Sequence, residues 1–355
     1  MSVQVQVKGS SRAVNDGVRY LGAAFSLVKS RLLLHKPFFL AHAITYACNS
    51  KCKTCTYWRM SNRKSEDLST KAALKLLDAA FDFGMRGYYL FGGEPTVRSD
   101  IGTIVDYAKA KGFLTTMNTN GSLLVSKAES LRNVDFLFVS LDYFNKYHDF
   151  IRGRSGSFKE VLEGIEKIRK VGNTRVVLVT TISSLNFDAI VPMAKLAQDL
   201  CVGISYNSVE PTVQVGFEEG RTSTPVEDFG LTVTQLQIFY NLLLKLKREG
   251  YPLMETEHVL KHFVEGRRWR CDFPKMFVYV SADNKIFSCT YDHTYDLKCG
   301  SFSDYFSSKL FQEHVKKAEE CTECVRTCVR GYTYTYALNP IHLMNLLSDA
   351  KILLH

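Results

Sequence analysis

The stretch of sequence that decides the fold is Cys48-Asn-Ser-Lys-Cys52-Lys-Thr-Cys55, followed about forty residues later by Gly92-Gly-Glu-Pro95. Each motif begins where an apolar stretch ends, the first after Pro37 to Ala47 and the second after Gly87 to Phe91. If both stretches are parallel strands, both motifs lie at carboxyl ends of strands, where barrels and open α/β sheets place their sites. The two motifs together therefore predict one ligand site at the edge of a parallel sheet.

The three cysteines have the spacing CxxxCxxC within a single loop. Three thiolates can hold three irons of a 4Fe-4S cluster and leave the fourth iron open to a small molecule. The alternative is a structural zinc site, which usually takes a fourth ligand from a second Cys or His pair nearby. No Cys or His lies between Cys55 and Lys111, so the triplet with its Gly-Gly-Glu-Pro partner favours iron over zinc.

The Gly-Gly-Glu-Pro turn suits a ligand that carries an ammonium group. Gly92 and Gly93 lack Cβ atoms, so the backbone can approach a ligand closely. Glu94 can accept charge-assisted hydrogen bonds from an ammonium, and Pro95 stiffens the turn.

These two motifs together resemble the radical S-adenosylmethionine (radical SAM) superfamily, in its SPASM/twitch-type branch. The resemblance implies that Cys48, Cys52 and Cys55 bind a 4Fe-4S cluster whose open iron is chelated by the amino and carboxylate groups of SAM. It also implies an electron donor such as ferredoxin or flavodoxin. One electron then cleaves SAM into methionine and a 5′-deoxyadenosyl radical, which abstracts a hydrogen atom from the substrate.

The same resemblance assigns contacts with SAM to Thr54, Gly92, Gly93, Glu94, Pro95, Ser140 and Arg152. Ser140 ends an apolar strand, and its alternative role is a hydroxyl that bonds its own backbone. The alternative for Arg152 is a surface ion pair. Thr54 departs from the family, which often has an aromatic residue there, so its backbone would serve and Tyr57 or Trp58 would supply the stacking face for the adenine.

Strand and helix patterns alternate along most of the chain. The predicted strands are Pro37 to Ala47, Gly87 to Phe91, Phe113 to Asn118, Phe136 to Leu141, Arg175 to Ile182 and Val202 to Asn207. The predicted helices are Thr70 to Phe83, Ile101 to Ala110, Phe158 to Lys170, Phe187 to Leu200 and Val233 to Arg248. Six such units predict the α/β class and, over residues 37–250, a partial (β/α)6 TIM-like barrel, which the resemblance also implies.

Residues 251–335 predict a small cysteine-rich α+β extension. A hairpin is predicted from Met276 to Ser288, with Ala282-Asp283-Asn284 as its turn. Cys271, Cys289, Cys321 and Cys324 resemble the twitch form of the SPASM domain, which implies an auxiliary 4Fe-4S cluster. Cys328 is a fifth candidate that would replace Cys324 or ligate a second cluster with Cys299. The alternative is a zinc knuckle, and Cys201 is expected to be a small core residue.

The two ends of the chain carry apolar helical patterns. Residues 1–36 read as a polar tail and an amphipathic helix at 17–34, with Val18, Leu21, Phe25, Val28 and Leu32 on one stripe. Residues 336–355 predict an apolar helix. Both segments suggest a peripheral membrane enzyme with a lipid or polyprenyl-type substrate. The alternatives are that they cap the barrel or form a dimer seam.

Composition limits the remaining classes of function. The 355 residues fit one large domain with a small appendage, and the formal net charge is +9 without a nucleic-acid-binding module. No apolar stretch is long enough to span a membrane, and Met1 to Arg12 lacks the form of a secretory signal. We expect a cytoplasmic protein, free or at the inner face of the membrane. Alternative functions are a peptide maturase, a sugar-alcohol dehydrogenase and a non-catalytic iron–sulfur or zinc scaffold.

Overall fold

The computed structural model describes residues 22, 24–209, 229–287, 294–321, 324 and 326–354, with side chains up to residue 349. In these parts of the chain, nine strands form one continuous sheet in the order β6-β5-β4-β3-β2-β1-β7-β8-β9. The strands are β1 (Phe39–Ala43), β2 (Gly87–Phe91), β3 (Leu114–Thr119), β4 (Phe136–Ser140), β5 (Arg175–Ile182), β6 (Gly203–Ser208), β7 (Phe277–Val280), β8 (Lys285–Phe287) and β9 (Thr294–Asp296).

The strands β1 to β6 are parallel and follow chain order, as predicted for a partial (β/α)6 barrel. In the β1–β2 register, Ala43 lies opposite Phe91. The chain therefore leaves both strands at the same edge, which brings the cysteine loop and the Gly-Gly-Glu-Pro turn together.

Helices follow most strands and cover the outer face of the sheet. In chain order they are a helix at 24–34 (α1) whose last turn is a π-helix, α2 (Thr70–Phe83), α3 (Ile101–Lys111), α4 (Leu124–Leu131), α5 (Tyr147–Arg152), α6 (Ser157–Val171), α7 (Ile190–Asp199), α8 (Val233–Arg248), α9 (Glu257–Val264), α10 (Phe273–Met276), α11 (Phe302–Ser307), α12 (Lys309–Glu320), α13 (Thr327–Tyr336) and α14 (Pro340–Leu354). Short 3₁₀-helices occur at Tyr57–Glu66, Pro95–Val97 and Phe187–Ala189. The predicted bounds of α2 and α8 are confirmed, and α7 begins later than predicted because Phe187–Ala189 is a 3₁₀-helix.

Alternate residues of the strands face two different layers. Leu40, Leu90, Met117, Leu137 and Leu178 pack against the helices in the main core. Their neighbours Tyr89, Asn118, Phe138 and Val179 line the interior of the barrel. One face of the sheet is thus buried against the helices, and the other face lines a cavity.

The predicted hairpin is confirmed by the antiparallel pair β7 and β8, with Asn284 at a positive φ of 73° in its turn. Its first strand, β7, also pairs with β1, which the sequence did not indicate. Phe277 of β7 lies opposite Phe39 of β1 in a parallel pair, so the hairpin extends the barrel sheet. The cysteine-rich segment is therefore joined to the barrel by backbone hydrogen bonds.

The terminal helices expose apolar side chains. Of the predicted N-terminal stripe, Val18 and Leu21 lie outside the described residues, whereas Phe25, Val28 and Leu32 are exposed. Leu27 packs against the protein instead. No helix in the described ranges is both long and apolar enough to cross a bilayer. The expectation for Cys201 was wrong, because it is exposed in the turn after α7.

Candidate active site at the carboxyl ends of the strands

The cysteine loop directly follows β1 and is held on both sides. On one side, Asn120 donates from Nδ2 to Asn49 Oδ1 at 2.8 Å and to Ser50 Oγ at 3.1 Å. On the other side, the amide of Lys53 donates to the carbonyl of Ile151 in α5 at 2.9 Å. These bonds tie the loop to β3 and to α5, so its conformation depends on two neighbouring β/α units.

The three thiols lie within electrostatic reach of one another. Burial raises the pKa of Cys48 to about 12 and that of Cys55 to about 11, and the neighbouring thiols add to both increases. The amide of Tyr57 donates to Cys55 Sγ at 3.4 Å. Among the described residues, no group of three or more Cys, His, Asp and Glu side chains is close enough to hold a metal ion.

The two glycines after β2 are required because the backbone of residues 45–47 passes too close to them for a Cβ atom. A Cβ on Gly93 would lie 2.0 Å from the carbonyl oxygen of Ala47, and one on Gly92 would lie 2.6 Å from that of Thr45. The amide of Gly93 donates to Thr45 O at 2.9 Å, and that of Glu94 donates to Ala47 O at 2.8 Å. The space that the missing side chains leave is thus filled by the segment that leads into Cys48.

Glu94 is buried and joins the Gly-Gly-Glu-Pro turn to the end of β3. Its Oε1 accepts hydrogen bonds from the amide of Thr96 at 3.0 Å and from the hydroxyls of Thr96 and Thr119 at 2.5 Å and 2.7 Å. Its Oε2 accepts from the amide of Asn120 at 2.6 Å. Burial raises the pKa of Glu94 in spite of these donors. The carboxylate therefore holds the Gly-Gly-Glu-Pro turn against the end of β3.

Arg152 is not the surface ion pair that was its alternative. Its side chain is mostly buried, with Nε 2.7 Å from Oδ2 of the buried Asp142 and Nη1 3.8 Å from Cys52 Sγ. Asp142 is anchored in turn, because its Oδ1 accepts from the amide of Thr181 at 3.0 Å. The guanidinium therefore links the end of β4 to the cysteine loop.

Other residues predicted to contact SAM surround the same loop. Ser140 follows Phe138 at a spacing of two on β4, so it faces the barrel interior above the cavity. Pro95 is buried in the turn, and Thr54 is half-buried between Cys52 and Cys55. Tyr57 stacks on Tyr46, whereas Trp58 donates from Nε1 to the carbonyl of Cys52 at 3.3 Å.

A cavity of about 310 Å³ fills the barrel interior. The sheet supplies Tyr89, Asn118 and Phe138, and α13 and α14 close the opposite side. A volume of this order accommodates a small ligand or one segment of a larger one.

The second group of cysteines forms a separate cluster beside this cavity. Cys271 is buried, and Cys324 and Cys328 pack in the same apolar cluster with Phe273 and Phe277. Cys328 also lines the cavity. Cys321 ends α12, Cys299 is exposed, and Cys289 lies outside the described residues. The structure thus brings Cys328 into the cluster together with Cys271 and Cys324.

Sequence reasoning missed several residues that organise the site. Asn120 bonds both the cysteine loop and Glu94. Arg98 donates from Nη1 to the carbonyls of Ile44 and Leu68 at 3.0 Å each. The position of Asn120 directly after a strand was the available signal, because polar residues at that edge often serve sites.

Comparisons with known proteins agree with this geometry. A family model described as the radical SAM superfamily matches residues 43–197. An AdoMet-dependent heme synthase of Methanosarcina barkeri is 27% identical over 281 residues, which are 73% of this chain and 78% of the synthase. Mycofactocin maturase MftC of Mycolicibacterium smegmatis is 29% identical over 215 residues, and the match spans 59% of this chain but only 53% of the maturase.

Among solved structures, SuiB of Streptococcus suis bound to the precursor peptide SuiA has a similar fold. Its TM-score is 0.62 at 14% sequence identity, and the match covers 93% of this chain and 77% of SuiB. The family match begins at the last residue of β1 and ends in α7, so it contains both motifs and the strand β2 that precedes the second. Residues 43–197 therefore form a radical SAM domain, the chain is a radical SAM enzyme, and the cofactors of that family are S-adenosylmethionine and a 4Fe-4S cluster.

Proposed function

We propose that Cys48, Cys52 and Cys55 ligate the SAM-binding 4Fe-4S cluster. The supporting observation is that one loop presents three mutually interacting thiols and is fastened to β3 and α5 by hydrogen bonds. When bound, the cluster passes one electron to SAM, and the resulting radical takes a hydrogen atom from the substrate. Anaerobic reconstitution with iron and sulfide, followed by dithionite and SAM, must yield 5′-deoxyadenosine. Its absence from a protein that holds about four irons would refute this function.

The SAM contacts of this proposal come from the residues around the loop. Thr54, Gly92, Gly93, Glu94, Pro95, Ser140 and Arg152 lie at the same edge of the sheet. Glu94 Oε2 accepts one hydrogen bond within the protein, so it retains capacity to accept one from the ammonium group of SAM. Arg152 places its positive charge next to Cys52, where it orients the loop.

The cysteines of the C-terminal segment would hold an auxiliary 4Fe-4S cluster, as in the SPASM/twitch type. Cys271 and Cys324 already share one cluster of side chains, and Cys321 precedes Cys324 by three residues. Cys289 completes the set that the sequence indicates, and Cys328 is the further candidate that the packing favours. This assignment makes residues 251–335 the cluster-binding extension of a barrel that spans residues 37–250, between the terminal segments 1–36 and 336–355.

The substrate would be a lipid or polyprenyl-type molecule reached from a membrane surface. The observation that carries this proposal is Leu346 of α14, which lines the cavity and is also 37% exposed. On the outer side of the same helix, Met344 and Leu347 are 64% and 76% exposed. An apolar cavity wall therefore continues into an exposed apolar surface, as an amphiphile passing from a bilayer into the barrel requires.

The helix α1 supports the same orientation. Phe25, Leu32 and Leu33 are exposed on it, and so is Lys29, whereas Arg31 lies over the ring of Tyr336 at 4.8 Å. Basic residues beside an apolar face favour anionic lipid surfaces. The enzyme would then act at the cytoplasmic face of the membrane and receive electrons from a ferredoxin or flavodoxin.

Flotation with vesicles of anionic phospholipid tests the membrane proposal. We expect the wild type to float, and the double variant Met344→Ser, Leu347→Ser to remain at the bottom of the gradient. The matched control is Val233→Ser, which removes an apolar side chain that is 83% exposed elsewhere on the surface. Failure of the wild type to float, or equal flotation of all three proteins, contradicts the proposal.

A second candidate substrate is a tetrapyrrole. The match to the heme synthase covers 73% of this chain, with 27% of the aligned residues identical. Arg326 lines the cavity, where a cation would suit the carboxylates of such a molecule. Stimulation of 5′-deoxyadenosine formation by an iron-coproporphyrin, but not by prenyl lipid, would favour this candidate. Peptide maturation and sugar-alcohol oxidation stay predictions from the family resemblance.

A further inference from the structure

The carboxyl group of Glu255 belongs to a residue that lines the cavity. This residue lies between α8 and α9 and is only 6% exposed. Its Oε1 accepts hydrogen bonds from Ser205 Oγ at 2.7 Å, from the amide of Tyr206 at 2.9 Å and from Thr327 Oγ1 at 3.4 Å. Its Oε2 is equally shielded from solvent, yet no described residue donates to it. One oxygen thus holds the fold, and the other is an unpartnered atom of a residue that lines the cavity.

Asn207 presents a second buried acceptor to the same space. It follows Ser205 at a spacing of two on β6, so both side chains lie on the interior face of the sheet. Its Oδ1 is shielded from solvent and has no hydrogen-bond partner in the described part of the chain. Buried polar atoms are nearly always hydrogen-bonded, so unpartnered oxygens on two residues that line one cavity point to a ligand that would satisfy them.

Aromatic side chains form a large part of the remaining cavity wall. Tyr89, Phe273, Phe277, Tyr279 and Tyr332 line it, and Phe277 stacks on Phe273 with ring centroids 4.5 Å apart. Such a wall binds an apolar body and offers few polar contacts. The cavity wall therefore combines polar groups, among them Glu255, Asn207 and Arg326, with an aromatic surface, which is the pattern for an amphiphilic ligand.

We propose that Glu255 and Asn207 bind a hydroxyl group of the substrate and that the aromatic surface of the cavity holds its hydrocarbon body. The substrate class is accordingly an amphiphilic alcohol. This inference rests on the proposed function, because it takes the cavity as the substrate site of the radical SAM enzyme. It goes further by naming the group that is recognised and the two residues that recognise it.

A hydroxyl group fits Glu255 and Asn207 better than an ether does. Burial raises the pKa of Glu255, which favours the protonated carboxyl group as a hydrogen-bond donor. Asn207 Oδ1 can only accept. A hydroxyl donates and accepts at once, so it satisfies both groups, whereas an ether lacks the proton that Asn207 needs.

Binding of 1-decanol and of 1-methoxydecane to the reconstituted holoenzyme tests the inference. We expect labelled 1-decanol to bind roughly tenfold more tightly than its ether, as one hydrogen bond to a buried acceptor predicts. Asn207→Leu should abolish this preference and leave the affinity for the ether unchanged. The substitution leaves the three bonds to Glu255 Oε1 in place, so the folded protein is retained.

Three further variants sharpen the result. Glu255→Leu should also lose the preference for the alcohol, and Glu255→Gln should restore it because the amide still donates. The matched control is Glu257→Leu, since Glu257 pairs with Lys261 and Arg248 outside the cavity. Equal binding of alcohol and ether to the wild type overturns the inference. If that same protein produces 5′-deoxyadenosine, the proposed function survives, and if it does not, the proposed function fails separately.

Discussion

The two groups of cysteines differ in how the protein holds them. The loop of Cys48, Cys52 and Cys55 is fastened by directional hydrogen bonds from the ends of adjacent strands. Cys271, Cys324 and Cys328 instead pack among aromatic side chains that join the hairpin to α13. Hydrogen bonds fix the direction of each partner, whereas aromatic packing mainly fixes proximity.

This difference indicates different tolerances to change. A loop that is fixed by buried polar bonds loses its geometry when a single donor, acceptor or glycine is altered, because each buried group needs its partner. An apolar cluster can repack around a substituted side chain at lower cost. The first group should therefore respond sharply to substitution, and the second should respond mainly through its metal content.

The largest effect is expected for Cys52→Ala. Loss of one of three cluster ligands should reduce 5′-deoxyadenosine formation at least about a thousandfold and remove about four irons per chain. Cys201→Ala is the matched control, since Cys201 is exposed and far along the chain from both groups. Retention of activity by Cys52→Ala would show that another side chain supplies the ligand.

Gly93→Ala tests the close contact that brings the two motifs together. The new Cβ would lie 2.0 Å from Ala47 O, so we expect the unfolding free energy to fall by about 3 kcal/mol. Gly331→Ala is the control, because its Cβ would meet nothing closer than 3.9 Å. Denaturant unfolding of both variants measures the difference, and equal stability would show that the loop adapts readily.

Arg152→Gln tests the link between the cysteine loop and β4. The variant leaves Asp142 without the guanidinium that lies 2.7 Å away, and Cys52 without its nearby cation. We expect the rate of SAM cleavage to fall about tenfold to a hundredfold, the range for residues that orient metal ligands. Arg169→Gln, on the exposed side of α6, is the control. Equal rates for both variants would mean that the loop is held without Arg152.

Cys271→Ala tests the second group. We expect iron to fall from about eight to about four per chain, while dithionite-driven SAM cleavage stays within about threefold of the wild type. Both Cys52→Ala and Cys271→Ala should lose iron, but only Cys52→Ala should lose SAM cleavage. Unchanged iron would remove the auxiliary cluster from the proposed function, and complete loss of SAM cleavage would show that the two groups depend on each other.

The smallest effect concerns the helix that closes the cavity. His342 of α14 contacts the hydroxyls of Thr256 and Thr335 at 3.0 Å each, and His258 and His262 lie beside it. Burial lowers the pKa of both His262 and His342 to about 4. Because the folded state favours the neutral rings, their contribution to stability is complete above pH 6.5 and is lost as the pH falls toward 4.

His342→Asn should therefore lose less stability than the wild type between pH 7.5 and pH 4.5. Thermal unfolding at the two pH values measures this difference, with His35→Asn as the control at the exposed end of α1. An equal loss in all three proteins would assign the acid sensitivity to other groups.

Much of the fold could be predicted from the sequence because local apolar patterns determine many of its strands and helices. The strands β2 and β5 and the helices α2 and α8 have the predicted bounds, since their apolar spacings match one period throughout. Short helices such as α4, α5 and α9 were missed. They contain too few turns for a period to emerge, and their stability comes from packing.

The candidate site could be predicted from the sequence only in part. The spacing of the cysteines and the glycines pointed to SAM chemistry, but two partners of Glu94, Thr119 and Asn120, lie 25 and 26 residues away at and directly after the end of β3. The apolar stripe of α1 was identified, although its periodicity could not tell which side faces solvent. Glu255 and Asn207 carry no motif, because their importance depends on the cavity that they share.

The sequence by itself determined the parallel barrel and the family chemistry, because strand alternation and the two motifs are local properties of the chain. Only the tertiary structure decided that β7 extends the barrel sheet, that Arg152 contacts Cys52, and that two residues with unpaired oxygens line the same cavity as an aromatic wall. The physical reason is that hydrogen bonds and burial join residues far apart in the chain. Such contacts are set by packing and leave no periodic trace in the sequence.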